Sequence, residues 1–183
     1  MYQGNNATAL QSQQWLGNSL TQLMENLPYQ AITIGRICKQ ADLSRQTFYN
    51  VFESKEEVLR FCLRTGYEKQ FRRFAERDTI SVEEIVGAFA AVVAENQKLL
   101  HLMVKNGLEG ILAEEMTQCV SLFAGRFVKQ AKKAEMLPYA ETLLSGALGQ
   151  LLVYWFRQEM PISIEKLTKL ISEFLEGKLF ALA

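Results

Sequence analysis

Apolar residues recur at helical intervals along most of this chain, and no stretch sustains the alternation of apolar and polar residues that a half-buried strand needs. Leu16, Leu20, Leu23, Met24 and Leu27 form one such stripe, and Leu112, Met116, Cys119, Val120, Phe123 and Phe127 form another. Leu143, Leu144, Ala147, Leu148, Leu151, Leu152, Trp155 and Phe156 make a wider one, followed by Leu167, Leu170, Ile171, Phe174 and Leu175. Only three prolines interrupt the 183 residues, at positions 28, 138 and 161. Each sits where a helix would stop or start. With 49% hydrophobic residues the chain can bury a sizeable core. The fold class is therefore all-α.

Capping residues divide these stripes into nine expected helices. The first stops near Pro28. Thr33 caps a short second helix, "ADL" breaks it, and Ser44 caps a short third one. "SKEE" at Ser54 to Glu57 has the form of a capping box and opens a long fourth helix reaching about Arg77. "SVEE" at Ser81 to Glu84 repeats that form for a helix running to about Glu95, and a shorter piece from Gln97 to Lys105 ends at Asn106-Gly107. A long helix then reaches about Glu135, Pro138 starts another, and Ser163 caps the last.

Composition removes several function classes. The formal net charge is zero, which argues against coating nucleic acid by bulk charge. Charge is unevenly placed, however. Residues 1–35 hold no Lys or Arg, whereas Arg36 to Arg77 holds ten basic residues against six acidic ones. Cys38, Cys62 and Cys119 are odd in number and far apart within apolar helical patterns, so they read as buried free thiols of a reducing compartment. With His101 the sole histidine, the chain cannot supply two Glu-x-x-His pairs for a di-iron site, and no G-x-S-x-G elbow or phosphate-cradling glycine loop is present. No enzyme activity, cofactor or metal is expected. The N-terminal residues have neither the basic nor the apolar region of a signal peptide, and "ALGQLLVYWF" is about half the ~20 residues a bilayer span needs. The expected location is the cytoplasm, with no membrane partner.

Two short helices behind a longer one make a helix-turn-helix arrangement. In "SRQTFYNVFESKEEV", Phe48, Val51 and Phe52 form a small apolar face, leaving Arg45, Gln46, Thr47, Tyr49 and Asn50 on the other. That polar set is either an ordinary solvated surface or the reading face of a major-groove helix. Arg45 and Gln46 can bond guanine or adenine edges bidentately, and Thr47 suits a thymine methyl or a phosphate. Tyr49, Lys55 and Thr33 are placed for phosphate oxygens.

"AITIGRICKQADLSRQTFYNVFESKEEVL" resembles the DNA-binding domain of the TetR family of transcriptional regulators, over roughly Leu10 to Leu63. The elements that carry the resemblance are "IT" opening the second helix, "S-x-x-T-F-Y-x-x-F", and "S-K-E-E". Asp42-Leu43 stands where Gly-Val is common in the family, and Gln46 replaces a frequent small residue. The candidate DNA-contacting set is Thr33, Arg36, Ser44, Arg45, Gln46, Thr47, Tyr49, Asn50 and Lys55. The resemblance divides the chain into a helix-turn-helix domain (1–53), a connecting helix (54–80) and a helical domain for dimerisation and ligand binding (81–183).

In that last domain Tyr154, Trp155 and Phe156 are consecutive, so apolar area points in several directions, and Ser145, Gly146 and Gly149 would let another helix approach closely. The resemblance implies a homodimer through the final two helices, with Leu148, Leu152, Trp155, Leu167, Leu170, Ile171 and Phe174 as interface candidates. Phe71, Phe74, Phe89, Met103, Met116, Phe123 and Phe127 fill a core or line a cavity, and the resemblance implies a cavity for a small apolar effector. The expected function is a dimeric regulator, a repressor, bound to a palindromic double-stranded operator. The other reading is a TetR-like helical dimer that works mainly through a protein partner and binds DNA weakly; the absence of Lys and Arg from residues 1–35 favours it.

Overall fold

The computed structural model describes residues 4, 6–74, 77, 79–127 and 134–179, without the side chains of Arg73, Arg126, Phe127 and Ala134. The described residues contain eight α-helices and no strand. They fall into two compact units, Met1–Thr65 and Gly66–Ala183.

The first unit holds α1 (Ala7–Asn26), α2 (Ile34–Gln40), α3 (Arg45–Val51) and the start of α4 (Lys55–Phe71). Pro28 has no N–H to donate, and Leu27 before it is already extended at φ −131°, which ends α1. A 3-10 turn at Tyr29–Ala31 leads to Thr33. The apolar stripes of α1, α2 and α3 converge: Leu16, Leu20, Ile37, Phe48, Val58 and Leu59 have no exposed surface. Phe52 continues the cluster, its ring 5.9 Å from Phe48 and 5.6 Å from Phe61. At Gly17 a Cβ would lie 2.6 Å from Cys62 Sγ, so only glycine lets α1 come this close to α4. Burial pushes the Cys62 thiol up to about 12. It stays protonated and unreactive, although the residue is half-buried and not fully buried as Cys38 and Cys119 are.

The second unit contains the end of α4 with α5 (Val82–Lys105), α6 (Glu109–Phe127), α7 (Leu137–Arg157) and α8 (Ile164–Leu175). Here α6 packs along α7, while α5 packs against both α7 and α8. Ser81 and Glu84 form the complete capping box that their spacing predicts: Glu84 N–H donates to Ser81 Oγ and Ser81 N–H to Glu84 Oε2. Asn106 and Gly107, the latter at φ +71°, close α5. Among the described residues no helix is long and apolar enough to cross a membrane.

Two local expectations change. The break near Glu95 is absent, so α5 is one helix; the eight described α-helices stand close to the expected count of about nine. Asn96, a residue type that often caps, instead donates its amide to Val92 O at 2.8 Å within the helix and lies across Gly66 of α4, where a Cβ would come within 2.5 Å of it. At the start of α4, Ser54 Oγ accepts from Glu57 N–H as expected, but the Glu57 carboxylate reaches back to Glu53 N–H at 2.8 Å, one residue beyond the ordinary box.

Candidate nucleic-acid interface

The turn between α2 and α3 sets the position of every candidate reading residue. Asp42 adopts φ +54°, the left-handed conformation that Asp tolerates better than most side chains. Leu43 N–H then bonds Cys38 O at 2.9 Å and Asp42 N–H bonds Lys39 O at 3.4 Å, closing α2 as a Schellman motif. Two residues later Ser44 caps α3. Its Oγ accepts from Thr47 N–H at 2.9 Å and lies 2.8 Å from Thr47 Oγ1. Thr33 caps α2 in the same way, accepting from Arg36 N–H at 3.3 Å. These caps need only a hydroxyl three residues ahead of an amide, which is why they are legible locally.

On α3 the buried residues are Phe48 and Val51. Arg45, Gln46, Tyr49 and Asn50 are exposed and Thr47 is half-buried. Tyr49, 58% exposed, stands with its ring edge-on to Phe48 at 5.5 Å, so its phenol is held outward on a fixed arm. The Arg45 guanidinium lies along α2: a Cβ on Gly35 would be 2.7 Å from its Nη2. Arg45 is close enough to Cys38 to oppose the rise that burial imposes on that thiol, though burial prevails. Gly35 is thus a residue that the sequence reading missed. Its signal was a glycine inside a seven-residue helix, where it costs about 1 kcal/mol against alanine and so calls for a reason.

Arg36 is exposed, with Nη1 donating to Ala31 O at 3.1 Å. Lys55 is half-buried, and its ammonium donates to Tyr29 O at 2.8 Å and Ile32 O at 3.1 Å. The structure therefore gathers Thr33, Arg36, Ser44, Arg45, Gln46, Thr47, Tyr49 and Asn50 on α2, α3 and their caps, while the Lys55 ammonium faces the preceding turn of its own chain.

The effector-pocket candidates lie in the second unit. Phe71, Phe74, Phe89, Met103, Met116 and Phe123 are all buried; Phe127 is named with them, but its side chain lies outside the described residues. Phe71 stacks on Phe123 at 5.1 Å and meets Phe74 at 5.9 Å. The surroundings are not wholly apolar. Glu115, 2% exposed, accepts from the buried Tyr67 hydroxyl at 3.0 Å. Burial, and then the Glu115 carboxylate, push the Cys119 thiol up to about 12. Elsewhere in the unit, a groove of about 450 Å³ between α6 and α7 is lined by Gly110, Ala113, Thr117, Ser145, Gly146 and Gly149 among others.

The interface candidates need correction. Leu148, Leu152, Trp155, Leu167 and Ile171 are only 1–4% exposed within a single chain. They are core, because α5 and α6 cover the faces of α7 and α8 that carry them. Leu170 is half-buried and Phe174 is 39% exposed. The open apolar residues of α7 lie on its other side: Tyr139 at 66%, Leu143 at 76% and Tyr154 at 60%. Both sides of α7 are apolar, and helical spacing alone could not say which one the chain itself would cover.

Comparison with known proteins agrees with this architecture. Residues 21–61 match the model of the bacterial regulatory proteins of the tetR family. No curated protein matches the chain by sequence. The solved structure of the fatty acid degradation regulator FadR from Bacillus halodurans is similar, with a TM-score of 0.67 over 97% of this chain and 98% of that one at 15% identity. The dihydroxyacetone kinase operon activator DhaS is similar over 93% and 97%, with a TM-score of 0.64 and 17% identity. A TetR transcriptional regulator from Streptococcus agalactiae 2603V gives 0.60 over 92% and 95% at 19% identity. At these identities the structures speak for the fold.

The turn yields a direct test. A β-branched residue is penalised in the left-handed region, so Asp42→Val should lower stability by about 1–2 kcal/mol. Asp42→Gly should hold or raise it. Urea unfolding of both variants checks this, and equal stabilities would contradict the placement of the turn.

Proposed function

We propose that this chain, whose first unit is a TetR-family helix-turn-helix domain, is a homodimeric transcriptional regulator that binds a palindromic operator and represses from it. The observation that carries the reading is the α3 surface. It is seven residues long, anchored by Phe48 and Val51, and presents Arg45, Gln46, Tyr49 and Asn50 outward. Arg45 and Gln46 read base edges from the N-terminal end of the helix. Thr47, Tyr49, Asn50 and Ser44 settle register at its flanks, and Thr33 and Arg36 meet the backbone beside them. Repression follows if the bound dimer occludes the promoter; the likeness to an operon activator leaves room for the opposite sign within the same fold.

Two-fold symmetry places two such helices on half-sites about one helical turn, ~34 Å, apart or a multiple of it. The second copy is assigned to the exposed side of α7, where Tyr139, Leu143 and Tyr154 leave apolar surface open to solvent. A small apolar effector in the second unit would act through α4, which begins in one unit and ends in the other. It lowers DNA affinity only as far as it binds the non-binding state better.

The absence of Lys and Arg from residues 1–35 supports a second reading, in which DNA binding is weak and a protein partner carries the function. Duplexes selected by the wild-type protein from a random-sequence library separate the two. Arg45→Ala and Gln46→Ala should each cost roughly 1–3 kcal/mol on the selected duplex and much less on a scrambled one. Equal, negligible affinity of the wild type for both would favour the partner reading. For the dimer, Leu143→Glu should give a folded monomer by sedimentation, whereas an unchanged mass would place the interface elsewhere.

A further inference from the structure

Lysine is an awkward residue for the first position of α4. The exposed amides of a helix start already carry partial positive charge, so a cation there is unfavourable without something negative beside it. A DNA phosphate would serve, but the structure supplies another answer. Lys55 Nζ donates to Tyr29 O at 2.8 Å and to Ile32 O at 3.1 Å, and it sits 4.0 Å from the centroid of the Tyr29 ring. An ammonium has three N–H bonds. Two carbonyl oxygens accept two of them, and the Tyr29 ring lies against the same ammonium.

The turn that Lys55 grips is anchored on every side. Tyr29 and Ile32 are 4% and 1% exposed. Tyr29 O also accepts from Ile32 N–H at 3.1 Å, and Ala31 O between them accepts from Arg36 Nη1 at 3.1 Å. Three carbonyls within four residues are thus drawn toward two cations. The next residue is Thr33, the cap of α2 and the first member of the DNA-facing set.

We infer that Lys55 is a positioning residue: its ammonium ties the start of α4 to the 29–32 turn and so fixes Thr33 and the entry to α2, and it does not itself contact the phosphate backbone. This rests on the DNA-binding reading above and assigns Lys55 a different part in it. The residue acts through Thr33. Its compact ammonium suits two converging carbonyls beneath a ring, whereas the broad planar guanidinium of arginine does not.

The experiment measures affinity for the selected duplex and for a scrambled duplex across a salt series. It uses the wild type, Lys55→Met, Lys55→Arg, Thr33→Val and the Lys55→Met/Thr33→Val double variant, with thermal unfolding of each to establish that it is folded. A positioning residue predicts that Lys55→Met weakens the selected duplex by roughly ten-fold, the scale of one hydrogen bond to a charged group. The slope of log affinity against log salt should not change. Lys55→Arg should fail to rescue, and the double variant should lose no more than the worse single one. A lone phosphate contact predicts instead a slope shallower by about 0.9 on both duplexes, rescue by arginine, and additive losses; that result overturns the inference while leaving the DNA-binding reading intact. Wild-type affinity in a folded Lys55→Met also overturns it. A wild type that does not distinguish the two duplexes removes the DNA-binding reading and this inference together.

Discussion

A helix of seven residues does not hold itself together in water, and α3 is only that long. Everything proposed for this protein depends on the burial of its Phe48 side chain, which has no exposed surface. Full burial of such a ring stabilises by roughly 1.5–3 kcal/mol, and the Ser44 cap contributes about 1 kcal/mol more. Phe48 lies on the inner side of α3, which packs against α1 and α2, and its ring meets Phe52 at 5.9 Å, so the outer side is presented at one fixed angle. The left-handed Asp42 and the Schellman bonds around it set the direction from which α3 arrives. Exposed side chains can then be varied in type without disturbing the mount, which is what a sequence-reading surface requires.

The second unit is organised around α7, a helix with two apolar sides. One is taken up by the chain itself: Leu148, Leu152, Trp155 and Phe156 are buried. The other, carrying Leu143 and Tyr154, is left open. Polar pairs steer α6 against α7, with Thr117 Oγ1 3.3 Å from Ser145 Oγ and Ser121 donating to Glu141 at 3.0 Å. A Cβ on Gly149 would sit 3.7 Å from Met116 Cγ, an ordinary contact, so the helix pair does not demand glycine there. The Thr117 contact thus gives Ser145 a partner inside one chain, without a second copy. Gly146, exposed in the groove, is the one that stays available to a partner.

What the sequence made legible was local chemistry. Thr33, Ser44, Ser81 and Ser163 all cap the helices they precede, because a cap is decided within four residues. The core residues Phe48, Val51 and Phe52 followed from spacing alone. What stayed hidden depended on partners distant along the chain. The carbonyls that hold Lys55 lie 23 and 26 residues before it. Glu115 lies 48 residues from the Tyr67 hydroxyl that it accepts from, and nothing in its neighbourhood marks it as buried. Asn96, inside the continuous α5, packs across Gly66 of another helix, 30 residues away. For α7, periodicity identified the apolar residues correctly and could not rank the two sides, since that choice belongs to α5 and α6.

The central claim is that this short, rigidly mounted face is where the protein meets DNA. Backbone amide chemical shifts of the labelled protein, followed during titration with a selected duplex, test it most directly. The account predicts shifts concentrated between Thr33 and Asn50, largest on Arg45 to Asn50, that do not appear with a scrambled duplex at moderate salt. A titration that leaves α3 unperturbed and moves residues on another helix would contradict it.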